Sequence, residues 1–334
     1  MQSTPTKLAA TGPWRLSVAP MLDWTDRHCR YFLRQLSRGV RLYTEMVNTG
    51  ALLHGDVAHH LDFDACEYPL ALQLGGNDPH DLAACSRLAE RWGYGEVNLN
   101  CGCPSDRVQQ GAFGVCLMRD PHRVADCVRA MTDACTLPVS VKHRIGIDRD
   151  ESYGFVRDFV GIVSQRGGCR VFIVHARNAW LKGLSPKENR DIPPLRYEVA
   201  EWLQRDFPEL TIVVNGGLSS SAQIEAHWQL GQGVMVGRAA YHNPWWLSEW
   251  DALLGRAPDG LPSREAVELA MCDYMQQQAL LHGTPWHAIA RHMLGLRLGL
   301  PGARHWRQVW SDHRLQGWAP HAVMERAHER GQSS

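Results

Sequence analysis

Val171-Phe172-Ile173-Val174-His175 is a run of four apolar residues closed by a polar one, and Thr211-Ile212-Val213-Val214-Asn215-Gly216-Gly217 repeats the pattern. A strand with one wet face alternates, whereas a strand covered on both faces is continuously apolar. These two runs therefore predict parallel strands sandwiched by helices. Working outward, six more short apolar runs occur at Leu16–Met21, Leu42–Met46, Leu70–Leu74, Glu96–Asn100, Val139–Arg144 and Gly233–Val236. Amphipathic segments separate them: Asp26–Leu36, Pro79–Trp92, Pro121–Ala134, Tyr153–Arg166, Glu198–Phe207 and Ser221–Gln229. Several open on a capping residue or an early proline, as at Asp78-Pro79 and Asp120-Pro121. Eight strand–helix units in a row predict a closed (β/α)8 TIM barrel in preference to an open doubly wound sheet.

The strand ends carry the polar chemistry: Pro20-Met21, Glu45, Gln73, Asn98 and Asn100, Lys142 and Arg144, His175, Asn215-Gly216-Gly217, and Gly237-Arg238. In a barrel these ends converge on one mouth, where the active site forms. Any one of them could be an ordinary strand-closing residue; eight together indicate a site.

Length agrees with a barrel and an appendage. A (β/α)8 barrel takes ~250 residues, and the chain has 334. After about Tyr241 the β signal stops. Ser263–Leu281, Pro285–Leu298 and Ala319–Arg330 read as helices, with Ser263 as an N-cap and Pro301-Gly302 and Gly317 as breaks. The expected layout is a disordered leader over 1–12, a barrel over 13–255 and a small all-helical domain over 256–334. The Gly- and Pro-containing stretch Arg256–Pro262 serves as linker.

Composition narrows the class. No apolar run approaches the ~18 residues needed to span a bilayer, and Met1–Gly12 lacks the apolar core of a secretory signal. A cytoplasmic protein is expected. The ten cysteines are scattered without a paired C-x-x-C, so no metal site is expected and most should be buried apolar residues. Net charge is zero, which gives no overall attraction to nucleic acid. Distribution matters more: Arg291, Arg297, Arg304, Arg307 and Arg314 face only one acid, Asp312, within their span, with Trp306 and Trp310 interleaved. On charge alone this reads equally as an RNA-binding face or as a solvated helix over core aromatics.

Three groups of residues suggest chemistry. In Asn98-Leu99-Asn100-Cys101-Gly102-Cys103-Pro104-Ser105, a strand presents two asparagines and a turn carries Cys103 above them. That thiol could serve as nucleophile or acid, whereas Cys101 adjoins the strand and reads as structural. Asn215-Gly216-Gly217 and Gly237-Arg238 follow the last two strands, where barrels often hold a phosphate on loop amides. A phosphorylated cofactor such as FMN would fit; so would a sugar-phosphate substrate. Lys142 and His175 end the fifth and sixth strands. A cation there suits the N1–O2 edge of a reduced flavin, and Gln73 could meet its pyrimidine side as donor and acceptor. No Rossmann or P-loop fingerprint is present, so a nicotinamide donor would bind only transiently.

The strings Ala19-Pro20-Met21-Leu22-Asp23-Trp24-Thr25-Asp26, Asn98–Ser105, Val141-Lys142-His143-Arg144-Ile145-Gly146 and Val236-Gly237-Arg238 resemble those of the tRNA-dihydrouridine synthases. Tyr43-Thr44-Glu45-Met46, within Ala19–Gly55, and Gly183-Leu184-Ser185-Pro186-Lys187-Glu188-Asn189-Arg190 resemble the bacterial A subtype, which acts on D-loop uridines 20 and 20a. The likeness runs from about Arg15 to Ser311. It implies bound FMN, NADPH as hydride donor and tRNA as substrate. A monomer with no stable protein partner is expected. By the same resemblance FMN would be held by Ala19, Pro20, Met21, Gln73, Lys142 and His175. Its phosphate end would meet Asn215, Gly216, Gly217, Gly237 and Arg238. Cys103 would be the general acid, Asn100 a uracil contact, and Lys187, Arg190, Arg304 and Arg307 contacts to tRNA. Two other readings compete: an FMN barrel dehydrogenase acting on a free pyrimidine, and a non-catalytic tRNA-binding protein.

Overall fold

A computed structural model describes residues 12–105, 111–256 and 263–329. The expected leader, apart from Gly12, and nearly all of the expected linker lie outside these. Packing divides the chain into two units: one runs to Asp23 and resumes over Arg41–Gly237, and the other comprises Trp24–Val40 and everything from Arg238.

The first unit holds eight parallel strands: β1 (Leu16–Val18), β2 (Leu42–Asn48), β3 (Leu70–Gly75), β4 (Glu96–Cys101), β5 (Val139–Arg144), β6 (Val171–His175), β7 (Thr211–Asn215) and β8 (Gly233–Val236). They pair in sequence from β2 to β8, and β8 pairs with β1. Between β1 and β2 the ring is closed by Arg41, whose N–H donates to Leu16 and whose carbonyl accepts from Val18. The result is the expected TIM barrel. β6 and β7 are buried at all but one residue each, His175 and Thr211, as continuously apolar strands covered by helices must be. β1 is shorter than expected, ending at Val18 and not Met21. Pro20 has no N–H to give a neighbouring strand, and Ala19 makes the last bond, to Val236 at 2.8 Å.

Inside the ring, Ala19, Tyr43, Ala71, Val171, Ile173, Val213 and Met235 form a packed plug with Trp14 against it. Beside it sits a buried carboxylate, Glu96, at the first residue of β4. It accepts from Trp14 Nε1 (2.7 Å), Arg41 (2.9 Å) and the Tyr43 hydroxyl (2.9 Å), and also from Ser140 Oγ. A buried charge is tolerable only when paired and hydrogen-bonded on this scale.

The second unit is helical, and helix Arg27–Leu36 belongs to it. Two acids explain why. Asp26 caps that helix through the Cys29 amide, and its other oxygen takes Arg291 (2.8 Å) and His292 (3.0 Å). Asp251 accepts from Ser37 Oγ and from the amides of Arg38 and Gly39, all within 2.8 Å. Where sequence reasoning sets the boundary at 255/256, packing begins the helical unit at Arg238.

Helix Arg264–His282 has Ser263 as its N-cap, as expected, accepting from Ala266, and Gly283 in the left-handed region ends it. The helix expected over Pro285–Leu298 is only Trp286–Ala290. Beyond it the chain tightens into i→i+3 turns. Gly295 lies within these turns, and a Cβ there would stand 2.6 Å from the His242 carbonyl, so the backbone is packed too closely for a side chain. Within this unit Glu268, fully buried, accepts from Trp306 Nε1 (2.5 Å), Trp310 Nε1 (2.9 Å) and Arg297 (3.5 Å), and pairs with His328 (2.8 Å).

Candidate active site

Along β4, residues two apart point the same way, so Glu96, Asn98 and Asn100 share one face. Parallel register sets Gln73 of β3 and Ser140 of β5 on either side of Asn98, and Lys142 beside Asn100. These polar residues join into a continuous ladder. Asn98 donates to Ser140 Oγ (2.7 Å), Gln73 donates to Asn98 Oδ1 (2.7 Å), and Asn100 donates to Gln73 Oε1 (2.9 Å). At the top, Asn100 Oδ1 accepts the amides of Gly102 (3.0 Å) and Cys103 (2.9 Å). The ladder therefore runs from buried Glu96 to the loop that carries the cysteine, with every rung inside the barrel.

Cys103 is half-buried, its Sγ 3.5 Å from Ser105 Oγ. Cys101 is fully buried, and burial pushes its thiol well above the ordinary range; it is packing, as the sequence suggests. The same loop is tied down by Arg144. Its guanidinium donates to the carbonyls of Gly102 (3.1 Å), Asn178 (2.8 Å) and Asn189 (2.8 Å), joining the cysteine loop to the loop after β6. Sequence reasoning named Arg144 as a strand-end residue and gave it no role; its place in the quoted β5 string was the available signal.

Lys142 donates to Asn215 Oδ1 at 3.0 Å, and Asn215 in turn donates to the Met235 carbonyl at 2.8 Å. Burial pulls the Lys142 ammonium down to about 7, Arg144 acts in the same direction, and nearby Cys103 opposes it. Among the described residues no carboxylate pairs with Lys142 or Arg144. Gly216 and Gly217 both have positive φ, and a Cβ on Gly216 would stand 2.9 Å from the His175 ring. Only glycine fits there. Tyr197, which the sequence did not single out, donates its hydroxyl to the Gly216 carbonyl at 2.5 Å. A Cβ on Gly237 would meet Ala19 Cβ at 3.7 Å and Met21 Sδ at 4.0 Å, so the ends of β1 and β8 adjoin. Pro20 lies between Ala19 and Met21, half-buried.

The residues expected to touch RNA fall in two places. Lys187 and Arg190 are exposed on the loop after β6, flanking buried Asn189; the charge of Arg190 reaches Arg144. In the helical unit, Arg304 and Arg307 are exposed on helix Ala303–Trp310 while Trp306 and Trp310 are core. The five arginines thus separate. Arg291 pairs with Asp26, Arg297 with Glu265 and Glu268, and Arg314 with Asp312. Among the described residues no carboxylate pairs with Arg304 or Arg307. Arg238 opens the short helix Arg238–His242. Among the described residues, no helix is long and apolar enough to cross a membrane.

The barrel is similar in shape to those of solved reductases. Morphinone reductase aligns with a TM-score of 0.52 and 14% identity, over 76% of this chain and 88% of that one. A 2-naphthoyl-CoA reductase aligns at 0.55 and 10%, over 72% and 50%; both likenesses speak for the fold alone. Sequence carries much more. A tRNA-dihydrouridine(20/20a) synthase of Pseudomonas aeruginosa is 54% identical over 329 residues, 98% of each chain. One of Escherichia coli K12 is 55% identical over 313 residues, 94% of this chain and 90% of the other. The family model described as dihydrouridine synthase matches residues 17–329. With the cysteine loop, the polar ladder and the glycine cradle on one barrel mouth, the chain belongs to the dihydrouridine synthase family.

Proposed function

We propose that this enzyme reduces D-loop uridines 20 and 20a of tRNA to 5,6-dihydrouridine, using bound FMN and NADPH as a transient donor. The observation that carries the reading is the convergence of Cys103, Asn100 and Lys142 on one mouth, in a chain so similar to relatives named for that reaction.

The residues fit FMN on physical grounds. Lys142 is a cation drawn out of water with an amide oxygen as its hydrogen-bond partner, an arrangement completed by the anionic edge of a reduced flavin. Gln73 keeps one N–H and one lone pair after its two ladder bonds, enough to serve a pyrimidine-like edge as donor and acceptor. His175, Ala19, Pro20 and Met21 would line the ring, and Asn215, Gly216, Gly217, Gly237 and Arg238 would hold its phosphate end. When bound, reduced FMN supplies the hydride to uracil C6.

The protein's own part follows from the ladder. Two backbone amides occupy Asn100 Oδ1 and one of its N–H groups goes to Gln73. A single N–H remains, so Asn100 meets uracil as a donor to a carbonyl oxygen. That is the atom on which charge develops as C6 takes hydride. Cys103 then delivers its thiol proton to C5 as a general acid. The target base must leave its stack to reach both groups, so tRNA is held by its backbone: at Lys187 and Arg190 beside the mouth, and at Arg304 and Arg307 in the domain over 256–334. The enzyme acts as a cytoplasmic monomer.

Purified protein should be yellow and should form dihydrouridine in uridine-containing tRNA with NADPH. Colourless protein with no NADPH consumption would favour a non-catalytic RNA-binding role. Turnover of free uracil or orotate without tRNA would favour a free-pyrimidine dehydrogenase.

A further inference from the structure

A second recess lies on the same face of the barrel. It is an open cleft of about 380 Å³ lined by Asp148, Arg149, Glu151, Trp180 and Lys182, contributed by the loops after β5 and β6. Loops that follow barrel strands rim the catalytic mouth. The connection is direct: Arg144 bonds both Gly102, beside Cys103, and Asn178, two residues before Trp180. Asn178 in turn donates to the Asp148 carbonyl at 2.8 Å.

Trp180 is 36% exposed, and its backbone is fixed on both sides by one amide. Asn189 Oδ1 accepts the Trp180 N–H and Asn189 Nδ2 donates to its carbonyl, each at 2.8 Å. A partly exposed tryptophan on a fixed backbone can offer its indole as a stacking surface. The charges sort favourably. Arg119 takes Asp148 (3.0 Å) and Asp150 (3.4 Å), and Asp148 also accepts the Leu181 amide. Among the described residues Arg149 and Lys182 have no ion-pair partner, which leaves two cations against Glu151.

We propose that this cleft binds the nucleotide next to the target uridine, its base stacked on Trp180 and its phosphate met by Lys182 and Arg149. The inference rests on the tRNA-reduction reading. It gives the enzyme a means of setting which of two adjacent uridines enters the mouth.

The test pairs Trp180→Ala with a tRNA transcript abasic at the position beside the target. Each change alone should lower kcat/KM on the order of tenfold, chiefly through KM, as loss of one base–aromatic stack predicts. Together they should cost no more than either. Trp180→Phe should recover most of the loss, and FMN content should stay unchanged throughout. Wild-type kcat/KM for Trp180→Ala on the intact transcript, or multiplying losses for the pair, overturns the proposal. So does a raised KM for NADPH in tRNA-free oxidation, which would make the cleft a donor site. Should Trp180→Ala not fold, Lys182→Ala replaces it: the slope of log affinity against log salt should shrink by about one, and an unchanged slope overturns the assignment. If wild type forms no dihydrouridine, the parent reading fails; if wild type forms it and Trp180→Ala matches it, only the subsite fails.

Discussion

Asn100 holds Cys103 in place: its Oδ1 accepts the Cys103 amide at 2.9 Å while its own amide is anchored to Gln73. The two amides of the cysteine loop are thus held from the barrel interior by this side chain, while Arg144 holds the Gly102 carbonyl. Asn100→Ala frees two loop amides and removes the uracil donor. Misplacing a reacting group by about 1 Å costs on the order of 10²-fold, so single-turnover reduction of tRNA should fall at least that much. Asn100→Asp keeps the acceptor for the loop and should lose less. Equal rates for both variants would mean that the loop does not depend on this anchor.

Cys103→Ala should leave flavin content unchanged and cut turnover with NADPH by about 10²- to 10⁴-fold, the usual worth of a general acid. Cys103→Ser should sit between the two, since a hydroxyl is a weaker acid than a thiol. Wild-type turnover by the alanine variant would remove the acid assignment.

Much of this was legible in the sequence because a barrel strand announces itself twice, by an apolar run and by the polar residue that ends it. β5 to β8 match their expected bounds to the residue. What stayed hidden was lateral. That Asn98, Gln73 and Ser140 form a ladder depends on the register between strands, which no single strand encodes. That Trp306 and Trp310 are core follows from Glu268, some forty positions away. Asp26, read only as a helix start, also binds His292 across the helical unit, a partner that no local pattern reveals.

Arg144 should behave as a positioning residue. Its three carbonyl partners span two loops, a geometry that a planar fork satisfies and an ammonium does not. Arg144→Lys should keep its flavin yet lower kcat about ten- to a hundredfold, with faster proteolytic cleavage in the loop after β6. Unchanged cleavage with reduced kcat would place Arg144 on the substrate and not between the loops.

Lys142 gives a pH signature. Its ammonium is drawn down to about 7 by burial, against ~10.4 for an unfolded lysine. Between these values the unfolded chain binds more protons, so stability rises with pH there. Below about 7 both states are protonated and the folded state carries the full cost of the buried charge. Flavin-free Lys142→Gln, which keeps an N–H for Asn215, should therefore melt above the wild type near pH 6. The gap should close as pH approaches 10, and adding FMN should reverse the order by favouring wild type. A gap constant across that range would show that Lys142 is not buried as a cation.

Arg304 and Arg307 are the two arginines of the basic segment without a carboxylate partner among the described residues, and they lie one turn apart on the same helix. Their neighbours Arg291, Arg297 and Arg314 are already paired with carboxylates. Phosphate contacts release counterions, and each lost contact reduces the salt slope by about one. Arg304→Ala with Arg307→Ala should weaken tRNA binding and lower the slope by about two, while flavin content and tRNA-free NADPH oxidation stay at wild-type levels. An unchanged slope would place the RNA-binding surface on other residues, because two solvent-facing cations in contact with phosphates cannot be removed without changing the number of ions displaced.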